Sequence, residues 1–168
     1  MLFTKPTLEE LLMLRSIANY QFGYKVGPYL VPDNVIVGKS PNTLRIRYIY
    51  DERRRPIATL KPSDYLYTLH ILGGMILHRV LSYPKLRIVV HNNVAKFIRD
   101  GYNVFSKHIV DFDEKLRAGR EVLIVDQDDN LLAVGKLKLS PVEIASVKRG
   151  EAVRVRHTIE DIEVQRYG

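Results

Sequence analysis

Positively charged side chains recur at every second position in two segments near the C-terminal end of the chain. Lys136 and Lys138 form one pair, and Arg154 and Arg156 form another, with His157 directly after the second pair. Because residues i and i+2 of a β-strand point to the same face of its sheet, each pair is predicted to lie on one face. Neighbouring strands of this kind would carry a stripe of cations, which can bind phosphate groups. The alternative is an ordinary solvated face.

A second group of polar side chains surrounds Gly101. Residues 94–99 are predicted to form a short helix, and residues 103–110 a basic strand after it. The hydrogen-bond donors of this group are Lys96, Arg99, Asn103 and Lys107. Gly101 either lets a phosphate or sugar approach the backbone or supplies a positive φ at the helix end, and both explanations fit the sequence. Phe105 either stacks on a base or fills the interior, and strand alternation favours the interior.

Acidic and histidine side chains give no sign of a metal site or a catalytic centre. Asp126, Asp128 and Asp129 have the early spacing of a calcium loop, but Leu131 and Leu137 occupy the positions that require glycine and glutamate. We interpret this segment as a solvated hairpin turn. The five histidines are scattered, at positions 70, 78, 91, 108 and 157. Since there is no cysteine either, the sequence predicts no metal, no cofactor and no catalytic residue.

Composition indicates a folded, basic protein. The 168 residues are 46% hydrophobic and 27% charged, and the formal net charge is +7. This charge favours a polyanionic partner, of which nucleic acid is the most common. The acidic residues of the second half cluster in 111–114 and 126–129, which leaves the basic strands a face of their own. The absence of cysteine, of a signal peptide and of an apolar run near ~20 residues predicts a cytoplasmic protein without membrane contact.

The first half of the chain alternates between helix and strand signals. Thr7 and Glu10 have the spacing of a capping box, which predicts a helix that ends near Tyr20. Helical spacing gives this helix a buried face that consists of Leu8, Leu11, Leu12, Ile17 and Ala18. Short strands are predicted at residues 35–37, 44–50, 57–60 and 65–69, before a helix at 73–81.

The strand predicted at residues 44–50 shows period-two alternation. Its inward residues are apolar or aromatic, namely Leu44, Ile46, Tyr48 and Tyr50. Arg45 and Arg47 are assigned to the outer face. Residues 51–56 then form a hairpin turn with a cluster of arginines, and residues 82–85 mark the expected boundary between two domains.

The second half is dominated by strand signals. Strands are predicted at residues 87–91, 103–110, 119–125, 131–139 and 153–157. Gly135 is expected at a bulge or a close contact, and Ser140 with Pro141 is expected to start a helical turn. Many short strands with one or two helices indicate a small closed barrel or pseudobarrel. The predicted fold class is therefore α+β, with a small α+β domain at 1–84 and a β-rich pseudobarrel at 85–168.

This order of elements resembles the PUA domain, a small RNA-binding pseudobarrel. The likeness rests on the strand and helix at 87–99, on Gly101, on the basic strand after it, and on segments 133–136 and 148–157. Upstream, residues 15–23, 54–60 and 63–64 are similar to segments of the archaeal tRNA-guanine transglycosylases that begin archaeosine synthesis. In that family these segments belong to the small domain before the PUA domain. The resemblance covers about residues 15–157.

The resemblance implies that the chain binds tRNA near its acceptor stem, or another structured RNA. In PUA domains the helix, its trailing glycine and the next strand form the groove that holds RNA. The candidate RNA-binding residues are Lys96, Arg99, Gly101, Asn103, Phe105, Lys107, Lys136, Lys138, Arg154, Arg156 and His157. Duplex RNA in such a groove is recognised mainly by its shape and backbone.

The catalytic part of that family has no counterpart in this sequence. Its (β/α)8 barrel needs at least ~200 residues, and its zinc site needs cysteine. The resemblance therefore implies a non-catalytic accessory chain that works with a separate transglycosylase catalytic subunit. Two alternatives stay open: a free-standing RNA-binding or ribosome-assembly factor, and an enzyme whose site the sequence does not reveal.

Overall fold

Two units built on antiparallel strands make up the described part of the chain, residues 1–162 of the computed structural model. One unit spans Met1–Val80, and the other begins at Leu81. The pseudobarrel predicted at 85–168 includes residues 163–168, which lie outside the described part. The predicted α+β class with a β-rich pseudobarrel is confirmed. None of the helices formed by residues 1–162 combines the length and the apolar content needed to cross a membrane.

The first unit is a five-stranded antiparallel sheet with helices on one face. Its strands follow chain order across the sheet: β1 (Leu2–Thr4), β2 (Ile36–Lys39), β3 (Ile46–Tyr50), β4 (Pro56–Leu60) and β5 (Tyr67–Leu69). Its helices are α1 (Leu8–Phe22), α2 (Gly27–Leu30) and α3 (Ile71–Val80). The core lies between sheet and helices, where the hydroxyl of the fully buried Tyr67 donates to the Leu14 carbonyl at 2.8 Å.

Helix α1 begins at the predicted capping box, but the predicted buried face is only partly correct. Thr7 and Glu10 exchange hydrogen bonds between side chain and backbone, as the sequence predicts. The buried side chains of α1 are Leu14, Ala18 and Phe22. Leu8 and Leu12, which helical spacing assigns to the core, are 72% and 55% exposed. The prediction is confirmed for Ala18 and wrong for Leu8 and Leu12, since the hydrogen bonds that join α1 to α2 and β5 are made by Leu14, Asn19 and Gln21, in the middle and last turns of the helix.

Strand β3 also turns a different face inward. Ile46 and Ile49 are buried, whereas Tyr48 and Tyr50 are only half-buried, so the predicted alternation is wrong. The cause is a change of register between β2 and β3. Gly38 pairs with Tyr48, but Lys39 pairs with Ile46, which leaves Arg47 as an extra residue in a bulge. A bulge of this kind reverses the faces of the residues that follow it, and it places both tyrosines on the outer face.

The second unit is a six-stranded, nearly closed pseudobarrel. Its strands are β6 (Arg87–Val90), β7 (Val104–Phe105), β8 (Ile109–Phe112), β9 (Glu121–Val125), β10 (Leu131–Leu137) and β11 (Glu151–Thr158). They are ordered β7-β11-β10-β9-β6-β8, and the pair of β6 with β9 is parallel. Two short helices, α4 (Ala95–Arg99) and α5 (Pro141–Ser146), belong to this unit.

The basic strand predicted at 103–110 is interrupted. A 3₁₀ turn at Ser106–His108 separates β7 from β8, so the prediction of one continuous strand is wrong. The reason is tertiary pairing: β7 pairs with β11, whereas β8 pairs with β6 at the other edge of the sheet. One straight strand cannot reach both partners, and the turn carries the chain from one to the other.

Two local predictions in this unit are confirmed. The pairing of β10 with β11 changes register between Val134 and Gly135, and a Cβ on Gly135 would collide with the Arg154 carbonyl oxygen. Ser140 and Glu143 form a capping box at the start of α5, where Pro141 occupies the first turn. The capping box depends on residues three positions apart, whereas the close contact at Gly135 is made with Arg154 of the neighbouring strand, and a glycine inside a predicted strand is its signal in the sequence.

The solvated hairpin turn predicted at residues 126–130 is present, with Gln127, Asp128 and Asn130 exposed, but Asp126 is not part of its solvated surface. Asp126 is only 8% exposed. Its carboxylate accepts hydrogen bonds from the backbone N–H groups of Asp128 and Asn130, both at 2.9 Å, and from the Asn130 amide at 3.0 Å. The carboxylate of Asp126 therefore supplies the acceptors that hold the β9–β10 hairpin closed.

Replacing Asp126 with alanine is expected to lower the free energy of unfolding by about 2 kcal/mol, because partly buried N–H groups lose their acceptor. Thermal or urea denaturation measures this loss. The matched control is Glu114→Ala, which removes an exposed carboxylate from the other acidic cluster and should change stability by less than about 0.5 kcal/mol. Equal stability of the Asp126 variant and the parent chain would contradict this role.

Candidate nucleic-acid interface

Strands β10 and β11 bring two of the predicted cations side by side. Lys136 and Arg154 are direct partners in the antiparallel register, and both residues are exposed. Lys138 follows the end of β10 and is also exposed. These residues form a short row of cations across two adjacent strands. Because like charges that face each other across a sheet repel, an anion bound over Lys136 and Arg154 would stabilise the pair.

Acidic neighbours compensate part of this charge. Arg156 is ion-paired with Glu121, whose side chain is only 5% exposed, so a buried carboxylate holds this guanidinium. Nε of Arg154 lies 3.5 Å from a carboxylate oxygen of Glu151, but the Arg154 side chain is 63% exposed. An ion pair with so much exposure to water contributes little to stability. Arg154 thus stays accessible to a ligand, whereas Arg156 has an internal partner that the sequence does not reveal.

His157 is half-buried near the end of β11. Burial lowers the pKa of its imidazole below the usual value, and the Asp161 carboxylate, 3.8 Å from Nδ1, opposes this shift. Burial therefore favours the neutral form of the ring. In this state His157 can exchange hydrogen bonds with a ligand but adds no positive charge to the surface.

Helix α4 carries the second group of donors. Lys96 is exposed, and Arg99 approaches Glu160 at 3.9 Å with 40% of its side chain exposed. Gly101, just after α4, has φ +99°, a conformation that other residues rarely adopt. Within the described residues, no atom lies within 4 Å of the position that a Cβ would occupy there. Both explanations of Gly101 fit, since it allows the turn that ends the helix and leaves open space beside the backbone.

Asn103 and Phe105 lie at either end of β7. The Asn103 Oδ1 accepts a hydrogen bond from the Val155 backbone N–H at 2.9 Å, which extends the pairing of β7 with β11. Val104 is buried, whereas Phe105 is 46% exposed. The prediction that Phe105 fills the interior is therefore wrong, because strand alternation turns Val104 inward instead. Base stacking by Phe105 stays a prediction.

Lys107 lies in the 3₁₀ turn rather than on a strand, so its assignment to a regular strand face is wrong. The residue is nevertheless exposed, next to the buried Ser106. The Ser106 hydroxyl donates to the Val147 carbonyl at 3.0 Å and fixes the turn. The charge of Lys107 is therefore presented close to Phe105 by a fixed turn.

Two exposed aromatic side chains beside Gly101 are missed when the sequence is searched for charge alone. Phe97 and Tyr102 are 55% and 64% exposed, and their rings meet edge to face with centroids 6.1 Å apart. Ala95 and Ile98 are the buried residues of α4, so helical geometry turns Phe97 away from the core. That spacing is visible in the sequence and could have identified Phe97.

Strand β11 connects these groups, because α4 packs against β10 and β11 while β7 pairs with β11. The α4–β11 surface is defined here by Lys96, Phe97, Arg99, Tyr102, Phe105, Lys107, Lys136, Lys138 and Arg154. It contains both cations and aromatic rings, a combination that suits phosphates and unpaired bases together. Among residues 1–162, no three His, Asp or Glu side chains are grouped so that they could hold a metal ion.

Comparisons with known proteins agree with this architecture. Residues 13–84 match the patch-forming domain C2 of tRNA-guanine transglycosylase, and residues 86–159 match the PUA domain. A hypothetical protein of Pyrococcus horikoshii OT3 shares the fold with a TM-score of 0.74 and 20% identity, over 99% of this chain and 100% of that one. A conserved PUA domain protein of Thermoplasma acidophilum has a TM-score of 0.67 and 16% identity over the same shares.

Archaeal tRNA-guanine(15) transglycosylases are more similar in sequence. The protein of Methanothermobacter thermautotrophicus is 41% identical over 154 residues, which are 90% of this chain and 23% of the relative. The Pyrococcus furiosus protein is 36% identical over 158 residues, which are 94% of this chain and 26% of the relative. The chain thus spans about a quarter of the length of these curated relatives. Its second half matches the PUA domain, and the chain as a whole resembles the C-terminal part of archaeal tRNA-guanine transglycosylases, as its sequence predicts.

Proposed function

We propose that the chain binds structured RNA, and in particular tRNA near its acceptor stem, as a non-catalytic accessory chain in tRNA modification. The observation that carries this proposal is the exposed, directly paired Lys136 and Arg154 on the α4–β11 surface of a PUA domain. The resemblance to the C-terminal part of tRNA-guanine(15) transglycosylases supports tRNA as the RNA.

The α4–β11 surface has suitable chemistry for the backbone and the end of an RNA helix. Lys96, Lys136 and Arg154 bind phosphates and fix the orientation of the duplex without reading base sequence. A-form RNA is recognised largely by its shape and backbone contacts. Phe97 and Tyr102 offer rings to a base that is unstacked at the helix end. Selectivity on this surface thus comes from the shape of the RNA and from its single-stranded end.

The chemical step of the modification belongs to another chain in this proposal. The curated transglycosylase relatives are matched over only 23% and 26% of their length, at their C-terminal part. The protein partner is then a transglycosylase catalytic subunit, and the compartment is the cytoplasm, where tRNA is modified.

The purified chain is expected to incorporate no labelled guanine into tRNA by itself, because the proposed catalytic subunit is absent. The measurement is tritiated guanine retained in precipitated tRNA, with and without a transglycosylase catalytic chain. Adding the accessory chain should increase incorporation by the catalytic chain, and a Lys136→Ala/Arg154→Ala variant should increase it less. Incorporation by the accessory chain alone would reveal a catalytic site, and an unresponsive catalytic chain would contradict the accessory role.

A free-standing RNA-binding or ribosome-assembly factor is the second candidate. The Pyrococcus horikoshii structure favours it, because that chain has the same fold along its whole length. Crosslinking in cells, followed by sequencing of the attached RNA, separates the two functions. Recovery of mostly tRNA supports the accessory role, whereas recovery of mostly ribosomal RNA supports the second candidate.

A further inference from the structure

The outer face of the sheet in the first unit carries one continuous row of residues across all five strands. The antiparallel registers align Phe3 with Gly38, Gly38 with Tyr48, Tyr48 with Thr59, and Thr59 with Thr68. The row is aromatic at one end, at Phe3 and Tyr48, and carries threonine hydroxyl groups at the other end, at Thr59 and Thr68. The Thr59 hydroxyl lies 3.0 Å from Nε2 of His70.

The helices of this unit pack on the opposite face. The residues that alternate with the row are buried, namely Val37, Ile49, Ala58, Leu60, Tyr67 and Leu69. Tyr67 contacts α1 through its hydroxyl group, which places α1 on that buried side. Phe3 is 41% exposed, and the row is therefore open to solvent at its aromatic end.

The aromatic rings on the outer face form a cluster over Gly38. The ring centroids of Phe3 and Tyr50 are 5.3 Å apart, and those of Tyr48 and Tyr50 are 5.8 Å apart with an interplanar angle of 29°. A Cβ on Gly38 would lie 2.9 Å from the Tyr50 ring and 3.2 Å from the Met1 side chain. The missing side chain thus lets the Tyr50 ring lie close to the backbone of β2.

One cation contacts this cluster. The guanidinium carbon of Arg54 lies 4.5 Å from the centroid of the Phe3 ring, a cation–π contact. Arg53 and Arg45 are exposed nearby in the chain, on the loops that flank β3. The acidic residues of the β3–β4 hairpin have other partners, because Asp51 accepts hydrogen bonds from Arg55 and Glu52 accepts one from Asn34 at 3.3 Å. Since Asp51 is ion-paired with Arg55, and Arg54 is the residue in contact with Phe3, the charge next to the Phe3 ring is positive.

We propose that Phe3, Tyr48 and Tyr50, together with Arg54, form an aromatic platform that binds an unpaired segment of RNA by base stacking. This second site rests on the RNA binding proposed above but lies in the other unit. Every base has a π-face, so stacking on aromatic rings binds single strands with little regard to sequence. The guanidinium of Arg54 can stack on a base or neutralise a phosphate. A duplex hides its base faces, so the platform discriminates in favour of single-stranded RNA.

The test compares a fluorescently labelled oligouridylate of about eight nucleotides with an RNA hairpin. Tyr48→Leu and Phe3→Leu remove a ring but keep an apolar side chain, and each should weaken binding of the oligouridylate roughly 5- to 100-fold. Tyr48→Phe keeps the ring and should bind as the parent does. Tyr20→Leu is the matched control, because Tyr20 lies on α1 and is 78% exposed. Thermal unfolding confirms that each variant is folded.

This experiment tests the two proposed RNA sites independently. The Lys136→Ala/Arg154→Ala variant should weaken binding of the hairpin more than binding of the oligouridylate, whereas Tyr48→Leu should do the reverse. If Tyr48→Leu binds the oligouridylate as tightly as Tyr20→Leu does, the platform is not an RNA site and a protein partner becomes its occupant. That result would leave the proposed function of the α4–β11 surface intact.

Discussion

Raising the salt concentration from about 50 to about 200 mM is expected to weaken tRNA binding about 100-fold. Each phosphate that a cation neutralises on a duplex releases counterions and adds roughly one unit to the slope of log affinity against log salt. The exposed cations of the α4–β11 surface are Lys96, Lys107, Lys136, Lys138 and Arg154. Contacts by four of these five cations, at about 0.9 each, give a slope near −3.6, which over a fourfold rise in salt is a loss on the order of 100-fold. Fluorescence anisotropy with labelled tRNA at several salt concentrations measures this slope.

Removing two of these cations should lower the slope by about two units. Lys136→Ala/Arg154→Ala is the informative variant, because both residues are exposed and pair directly across β10 and β11. The control is Lys115→Ala/Arg117→Ala, which removes the same charge from exposed positions between β8 and β9. Equal slopes for the two variants would mean that net charge alone drives binding. A slope near zero for the parent chain would contradict phosphate binding altogether.

Sequence reasoning succeeds in this chain wherever the signal is local. The capping boxes at Thr7 and Ser140 involve residues three positions apart, and both are present in the structure. Strand alternation, which is also local, predicts that Lys136 and Arg154 are each exposed, as they are. These features depend on backbone geometry within a few residues, so no knowledge of the tertiary fold is needed to predict them.

The errors arise where distant parts of the chain decide the local structure. The bulge opposite Gly38 reverses the face of Tyr48 and Tyr50, and it depends on how β2 and β3 align. The interruption at Ser106–His108 depends on β7 and β8 having different partners. Arg156 is ion-paired with Glu121, which is 35 residues away in sequence. No local pattern encodes these three outcomes, and each of them changes which side chains a ligand can reach.

Arg87 is a further residue whose environment local sequence does not reveal. An arginine at the start of an apolar strand is not expected to be buried. Arg87 is 1% exposed. Its guanidinium donates to the carbonyl groups of Leu81 and Lys85, at 2.7 and 2.9 Å. It also donates to the Asp129 carboxylate, at 3.2 and 3.4 Å. One buried side chain thus ties the segment before β6 to the β9–β10 hairpin, and the planar guanidinium is suited to several fixed acceptors at once.

Replacing Arg87 with alanine is expected to lower the free energy of unfolding by about 3 kcal/mol, because it leaves buried carbonyl groups and a carboxylate without their donor. Asp129→Asn should cost less, since 34% of the Asp129 side chain is exposed and can be hydrated. Urea denaturation measures both losses, and Arg120→Ala, at an exposed position, should change stability by less than about 0.5 kcal/mol. The double variant Arg87→Ala/Asp129→Asn should cost less than the sum of the two single variants, because no buried charge of Asp129 then loses its partner. If Arg87→Ala unfolds at the same urea concentration as Arg120→Ala, the buried guanidinium does not hold the two segments together.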